Sequence, residues 1–255
     1  MRNYNTVVIV AGVTEGEGSD RANLDLTQSM EKLILDVVEA GKKVVVIIYA
    51  GSAVTMGKWH NKVSGIFHAW YPGEAGGKAI ADILYGRYNP AGRLPITFPQ
   101  HVAQVPMYYN PEPRGRNSGY SDMTDKPLFP FGFGLSYSDF EYLHISLSSN
   151  RISKDESVRL AVKVTNRGKL DGDEVIQLYI NDLYASVATP DIELKDFKRV
   201  HIKSGETKEV EFVITPKMLQ LLDEDLIWKV ESGEFSIMLG ASSTDIKGKI
   251  SLYID

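Results

Sequence analysis

The chain contains no cysteine, which excludes disulfide frameworks, zinc–thiolate sites and thiol nucleophiles. Positive charge is also scarce: 28 Lys and Arg stand against 33 Asp and Glu, a formal net charge of −5. Nucleic acids and membrane surfaces attract a basic footprint, so this balance argues against both partners and suits a neutral ligand. Long apolar runs are missing too, since none approaches the roughly 20 residues that a bilayer span needs. The N-terminal MRNYNTVVIVAG has one Arg and a short apolar core, then enters an acidic loop without an A-x-A-like cleavage site. It is expected to be a buried strand, not a signal peptide. A parent with a signal further upstream stays open, and with it the compartment.

What is present points to a packed protein of two domains: 255 residues, 43% hydrophobic and 24% charged. The first half alternates apolar runs with helical patterns. Thr6–Ala11 and Lys43–Tyr49 are nearly continuous in Val and Ile, as strands buried on both faces of a parallel sheet are. Between them Met30, Leu33, Ile34, Val37 and Val38 form one apolar helical stripe that ends at Gly41. A second unit follows: a strand from Gly65 to Tyr71, a helix in PGEAGGKAIADILYG with Pro at its start and Gly at its end, and a short strand in GRLPITFP.

After about Phe140 the period becomes two. Val158, Leu160, Val162 and Val164 share one face of a strand, as do Ile176, Leu178 and Ile180, and Phe235, Ile237 and Leu239. NRGKLDGD and KSGET supply turns between such runs, and the spacing suggests an antiparallel β-sandwich with no helix longer than a turn or two. The expected organisation is an α/β domain over 1–105, with a mostly parallel sheet flanked by helices, a connecting strap over 106–140, and an all-β sandwich over 141–255. The strap, rich in Pro, Gly and aromatics, is too apolar for a free linker.

The loop TEGEGSDR follows the first strand and so emerges at the carboxyl edge of the sheet, where open α/β folds bind ligands. Gly16 and Gly18 flank Glu17 and free the backbone to project that carboxylate. Spacing leaves several uses open. A phosphate cradle is disfavoured because Glu15 and Glu17 would repel the anion. A calcium site from Glu15, Glu17, Asp20 and Asp25 misses the EF-hand pattern. A solvated loop and a carboxyl proton donor remain, the latter needing a neighbour to tune its acidity. Trp59, Trp70 and Tyr71 suit either a sugar-binding surface or the core, and aromatics near strand ends favour the core. His60, His68 and His101 show neither triad nor metal spacing.

Five motifs in order resemble the C-terminal part of glycoside hydrolase family 3, the β-glucosidase and β-xylosidase family. GEGSDRANL resembles its acid/base loop, WYPGEAGGKAIADILYGRYNPAGRLPITFP its W-x-P-G-x-x-G-G helix and G-R-L-P strand, and PLFPFGFGLSYSDF its strap. DGDEVIQLYI and LKDFKRVHIKSGET resemble the fibronectin type III-like domain that ends many members. The resemblance implies an incomplete α/β sandwich followed by an immunoglobulin/fibronectin III-like sandwich. It also implies a retaining mechanism with two carboxyl groups about 5 to 5.5 Å apart. The acid/base is then Glu17, with Glu15 as the alternate, and Asp20 and Arg21 support the loop, Arg21 by paired hydrogen bonds to a carboxylate. No cofactor and no metal are implied. The partners are a β-linked oligosaccharide or glycoside and a (β/α)8 barrel, domain or chain, that carries the nucleophile; a homodimer stays open. Without the barrel the sequence is expected to be a clipped, split or truncated product, inactive alone. The competing reading is a non-catalytic carbohydrate-binding or interaction module.

Overall fold

A strand in the middle of a parallel sheet has neighbours on both edges and layers on both faces, so apolar side chains suit every position. Lys43–Tyr49 meets that demand with Val44, Val45, Val46, Ile47 and Ile48. In the structure, a computed structural model describing residues 4–113 and 119–255, this segment is β2. It lies between β1 (Thr6–Gly12) and β3 (Gly65–His68), and both pairings are parallel, with Thr6 opposite Lys43 and Val45 opposite Gly65. Val46 and Ile48 are fully buried, whereas on the edge strand β1 Val8 and Val10 are 47% and 58% exposed. The third strand ends before the expected Tyr71, because Trp70 adopts a φ of +52° that breaks extended pairing.

Helix α1 (Gln28–Glu39) begins where Thr27 accepts a hydrogen bond from the Met30 amide at 3.4 Å, and it stops before Gly41, whose φ is +74°. Of the anticipated stripe, Ile34 and Val37 are buried but Leu33 is exposed. Glu31 is buried instead and pairs with Lys58 at 2.9 Å. Helix α2 (Gly76–Leu84) starts later than expected: Pro72 lies outside it and packs on Gly76, where an added Cβ would stand 2.6 Å from the proline Cγ. The strand anticipated in GRLPITFP does not form. Pro95 and Pro99 withhold amide donors, and the segment pairs locally with the strap: Phe98 N–H donates to Phe129 O at 2.8 Å, Leu94 N–H to Phe133 O at 2.8 Å, and Gly132 N–H to Leu94 O at 2.8 Å.

The described residues group into two compact units. The first holds the parallel sheet with Thr97–Met107 and Gly119–Phe129; the second holds Asn89–Ile96 and Pro130–Asp255. Strap residues 114–118 lie outside the described residues.

The second unit is built from a three-stranded and a five-stranded sheet. The first joins β4 (Phe140–Leu147), β6 (Val158–Asn166) and β9 (Thr207–Ile214) in the order β4-β6-β9. The second runs β5-β13-β12-β7-β8, from β5 (Arg151–Ile152), β7 (Gly172–Asp182), β8 (Glu193–Ile202), β12 (Gly233–Gly240) and β13 (Ile246–Ile254). A short helix α3 (Pro216–Leu219) and a small hairpin of β10 (Leu221–Leu222) and β11 (Trp228–Lys229) complete it. The period-two residues Leu160, Val162, Val164, Ile176, Leu178, Ile237 and Leu239 join Phe212 in one core.

The opposite face of β7 is buried as well. Tyr179 is fully covered, its hydroxyl donates to Gln177 Oε1 at 2.5 Å, and Gln177 Nε2 donates to Gly132 O at 3.1 Å and Ala241 O at 2.7 Å. Asn89 ties the start of this unit together, donating to Asp171 O at 3.0 Å and accepting from Ser136 Oγ and Tyr137 N–H at 2.8 Å each. The chain is mostly strand with few helices. Among the described residues no helix is long and apolar enough to cross a membrane.

Candidate functional site

Parallel pairing brings the ends of β1, β2 and β3 to one edge, so the loops after them can share side-chain contacts. Glu15 is where they meet. Its carboxylate accepts hydrogen bonds from the Gly51 amide, from Ser52 Oγ at 2.6 Å, from the Tyr71 hydroxyl at 2.9 Å and from Arg21 Nε at 3.2 Å. Gly51 and Ser52 follow β2, and Tyr71 follows β3. The side chains of Glu15 and Arg21 are only 14% and 13% exposed. Burial pushes the Glu15 carboxyl up, but donation from Ser52, Gly51 and Tyr71 together with the Arg21 charge outweighs it and holds the group at about 2. Glu15 is therefore an ionised clamp.

The same bond pushes the Tyr71 hydroxyl up, because ionisation would place a second anion beside Glu15. Arg21 Nη2 reaches Ser52 Oγ at 2.8 Å and Ala53 O at 3.1 Å, while its buried Nη1 has no partner among the described residues. Arg21 thus holds the Glu15 carboxylate through one bond and the loop after β2 through two, rather than by the paired bonds to a carboxylate that the family resemblance allowed. His68, lowered by burial, is neutral behind this cluster, its Nε2 3.2 Å from Ser52 O.

Glu17 stands two residues beyond the clamp and has the opposite surroundings. Gly16 and Ser19 close a tight turn, with Ser19 N–H donating to Gly16 O at 3.0 Å, and Gly18 takes a φ of +72° that a side chain would strain. Glu17 occupies the tip and is exposed. Among the described residues no hydrogen bond or ion pair engages its carboxylate or that of Asp20. Asp25 anchors the far end of the loop, accepting from Thr55 Oγ1 and lying 3.4 Å from Lys58 Nζ. The four acids considered for calcium are thus divided between a clamp, a tip and an anchor, and among the described residues no group of three or more His, Asp or Glu side chains is placed to hold a metal ion.

A cleft of about 470 Å³ opens beside the turn, bordered by Glu15, Glu17, Asp20, Arg21, Ser52 and Tyr71. Of the three aromatics assigned to the core, Trp59 is fully buried and Trp70 packs edge-on against His68 and Phe98. Tyr71 departs from that expectation: it is 65% exposed at the cleft. Ser52 and Gly51 were not singled out by sequence. The small-residue sequence AGS directly after a fully apolar strand is the only signal that could have pointed to them.

Residues 1–137 match the glycosyl hydrolase family 3 C-terminal domain, and residues 174–243 match the fibronectin type III-like domain. The chain is 38% identical over 256 residues to the periplasmic beta-glucosidase of Salmonella typhimurium, an alignment covering 95% of this chain and 34% of that protein. It is 41% identical over 248 residues to a beta-xylosidase of Formosa agariphila, again covering 95% of this chain and 34% of the relative. Among solved structures, the beta-glucosidase from Listeria innocua in complex with glucose superposes with a TM-score of 0.95 at 31% identity, over 99% of this chain and 37% of that one. A mutant of that enzyme in complex with laminaribiose gives 0.94 at 31% identity, over 100% and 37%. The chain thus spans about a third of the length of these proteins. It belongs to glycosyl hydrolase family 3, carrying that family's C-terminal domain and a fibronectin type III-like domain.

Proposed function

We propose that the chain is the acid/base-bearing part of a retaining β-glycosidase that hydrolyses terminal nonreducing β-D-glucosyl or xylosyl residues, with its nucleophile on a (β/α)8 barrel outside these residues. In this reading residues 1–105 are part of an α/β sandwich, 106–140 the strap and 141–255 a fibronectin III-like sandwich. The observation that carries it is the division of labour between Glu15 and Glu17. A glycosidase acid must keep a proton near neutral pH until the glycosidic oxygen takes it. Glu15, held at about 2 by four donors, is ionised there and has no proton to give. Glu17 and Asp20 both border the cleft with unengaged carboxyls, and of the two Glu17 stands at the tip of the turn, where the family's acid/base motif places its glutamate. The substrate class is supported by relatives that are a beta-glucosidase and a beta-xylosidase, and by neighbours holding glucose and laminaribiose.

The chemistry follows in two balanced steps. In the first, the Glu17 carboxyl gives its proton to the glycosidic oxygen while the barrel carboxylate attacks the anomeric carbon, releasing the alcohol and leaving a glycosyl-enzyme. In the second, the Glu17 carboxylate takes a proton from the water that attacks that carbon, freeing the sugar and restoring both groups. Throughout, Glu15 stays ionised and holds the turn.

The test uses this chain assembled with its barrel. Glu17→Ala should slow hydrolysis of alkyl β-glucosides by about 10²- to 10⁴-fold, the usual contribution of a positioned acid. Dinitrophenyl glycosides, whose leaving group needs no proton, should still form the intermediate, and azide should capture it as the β-glycosyl azide. Rescue in Glu15→Ala with Glu17→Ala near wild type would reverse the assignment. Rescue in neither would end it.

A further inference from the structure

Resting on the reading of Glu17 as proton donor, we propose that Tyr71 is the floor of the leaving-group subsite, a platform on which the departing sugar or aryl aglycone stacks.

An exposed tyrosine usually rotates freely, but this one is held at two places. Its hydroxyl donates to Glu15 at 2.9 Å, and its ring lies against the backbone of Gly51, where a Cβ would come within 2.6 Å of Tyr71 Cε2. Only a glycine permits that approach. The ring is nevertheless 65% exposed, so its position is fixed while its face is open to the cleft. The preceding residue shows that this placement is imposed on the backbone. Trp70 takes a φ of +52°, a conformation that bulky residues avoid and that persists where surrounding structure enforces it. It sends the Trp70 ring inward, with centroids 4.4 Å from His68 and 6.2 Å from Phe98, while Tyr71 faces solvent.

An aromatic face carries partial negative charge, which attracts the polarised C–H groups on one side of a pyranose and also offset aromatic rings. The hydroxyl at the ring's far end stays neutral beside Glu15, leaving that face unaltered. The assignment to the leaving side follows from the proton's destination. Glu17 must reach the glycosidic oxygen, the atom that departs with the aglycone. Tyr71 is joined to the Glu17 turn through Glu15, so a group resting on the ring keeps its register with the donor. A fixed platform also loses little conformational freedom on binding.

Saturation-transfer NMR on the 255-residue chain tests this without any turnover, using phenyl β-D-glucoside, cellobiose and methyl β-D-glucoside at millimolar concentration. Phenyl β-D-glucoside should receive its strongest saturation on the phenyl protons, and cellobiose should bind more tightly than methyl β-D-glucoside. Tyr71→Ala should abolish both effects. Tyr71→Phe keeps the ring but loses its tether, and should weaken binding about fivefold. Gly51→Ala, which displaces the ring without removing it, should weaken binding at least as much. Tyr184→Ala, at a still more exposed tyrosine of the second unit, should change nothing. The proposal is overturned if the wild-type chain shows no transfer, if Tyr71→Ala retains it, or if the glucosyl protons alone are saturated. Because no proton is transferred in this measurement, its failure and a failure of the Glu17 rescue can be told apart.

Discussion

Replacing Glu15 by glutamine removes one negative charge at nearly constant volume and leaves Arg21, 13% exposed, without a counter-ion. The wild-type carboxyl is held at about 2 against an ordinary 4.5. By linkage this difference corresponds to at most about 3.4 kcal/mol of folding free energy at neutral pH, and residual solvent access reduces it to about 2 kcal/mol. The sign follows from proton binding. The folded value lies below the unfolded one, so the unfolded chain binds more protons in that interval. The contribution is complete above 4.5 and disappears as the pH falls through about 2.

Urea unfolding can be followed by the emission of Trp59 and Trp70 in a Trp228→Phe background, so that the signal comes from the first unit. Near pH 7, Glu15→Gln should lower the urea midpoint by about 1 M. Near pH 2.5 the difference between the two proteins should shrink severalfold, because the wild type then approaches protonation. An equal difference at both pH values would refute the electrostatic account and leave only packing. No difference near neutrality would refute the clamp itself.

The isolated chain should hydrolyse no aryl β-glucoside, because a retaining mechanism lacking one of its carboxyl groups has no covalent route; turnover by the pure chain that vanishes in Glu17→Gln would sink that reading. In the second unit, Arg93 and Glu174 pair at 3.0 Å with side chains 9% and 4% exposed, and Tyr142 donates to the same carboxylate at 3.0 Å. Arg93→Met should therefore strand a buried acid and cost about 3 kcal/mol, read as a fall of roughly 10 °C in the Tm of that unit by calorimetry. Glu174→Gln added to it should recover much of the loss, and a double variant as unstable as the single one would show that the charge is not the cause.

The strands with a uniform environment were legible from sequence because a single rule governs each of them. Val44 to Ile48 are apolar without interruption since β2 has neighbours on both sides, and Leu160, Val162 and Val164 alternate with the less buried Arg159, Ala161 and Lys163 since β6 turns one face to the core. The turn that carries Glu17 was legible for a local reason too: the glycine at position 18 admits the φ of +72° by which GEGS turns back on itself, a conformation a side chain would strain. Segments whose partners lie far along the chain carry no such local signal. GRLPITFP has strand-like residues, yet its prolines and its pairing with Phe129 and Phe133 leave it irregular. Leu33 fits a helical stripe but meets no layer and stays exposed.

The site divides along the same line. Sequence alone determined that two glutamates and an arginine crowd one loop at the carboxyl edge of a parallel strand, and the family motif ranked Glu17 above Glu15. Only tertiary structure decided that the two carboxyls have different lives. Ser52 and Gly51 arrive from the end of β2 and Tyr71 from the end of β3, separated from Glu15 by 36 to 56 positions. Their three donors and the Arg21 charge hold Glu15 ionised and leave Glu17 free. Acidity depends on what surrounds a carboxyl in space, and residues brought together by strand pairing across such separations leave no local pattern in the chain.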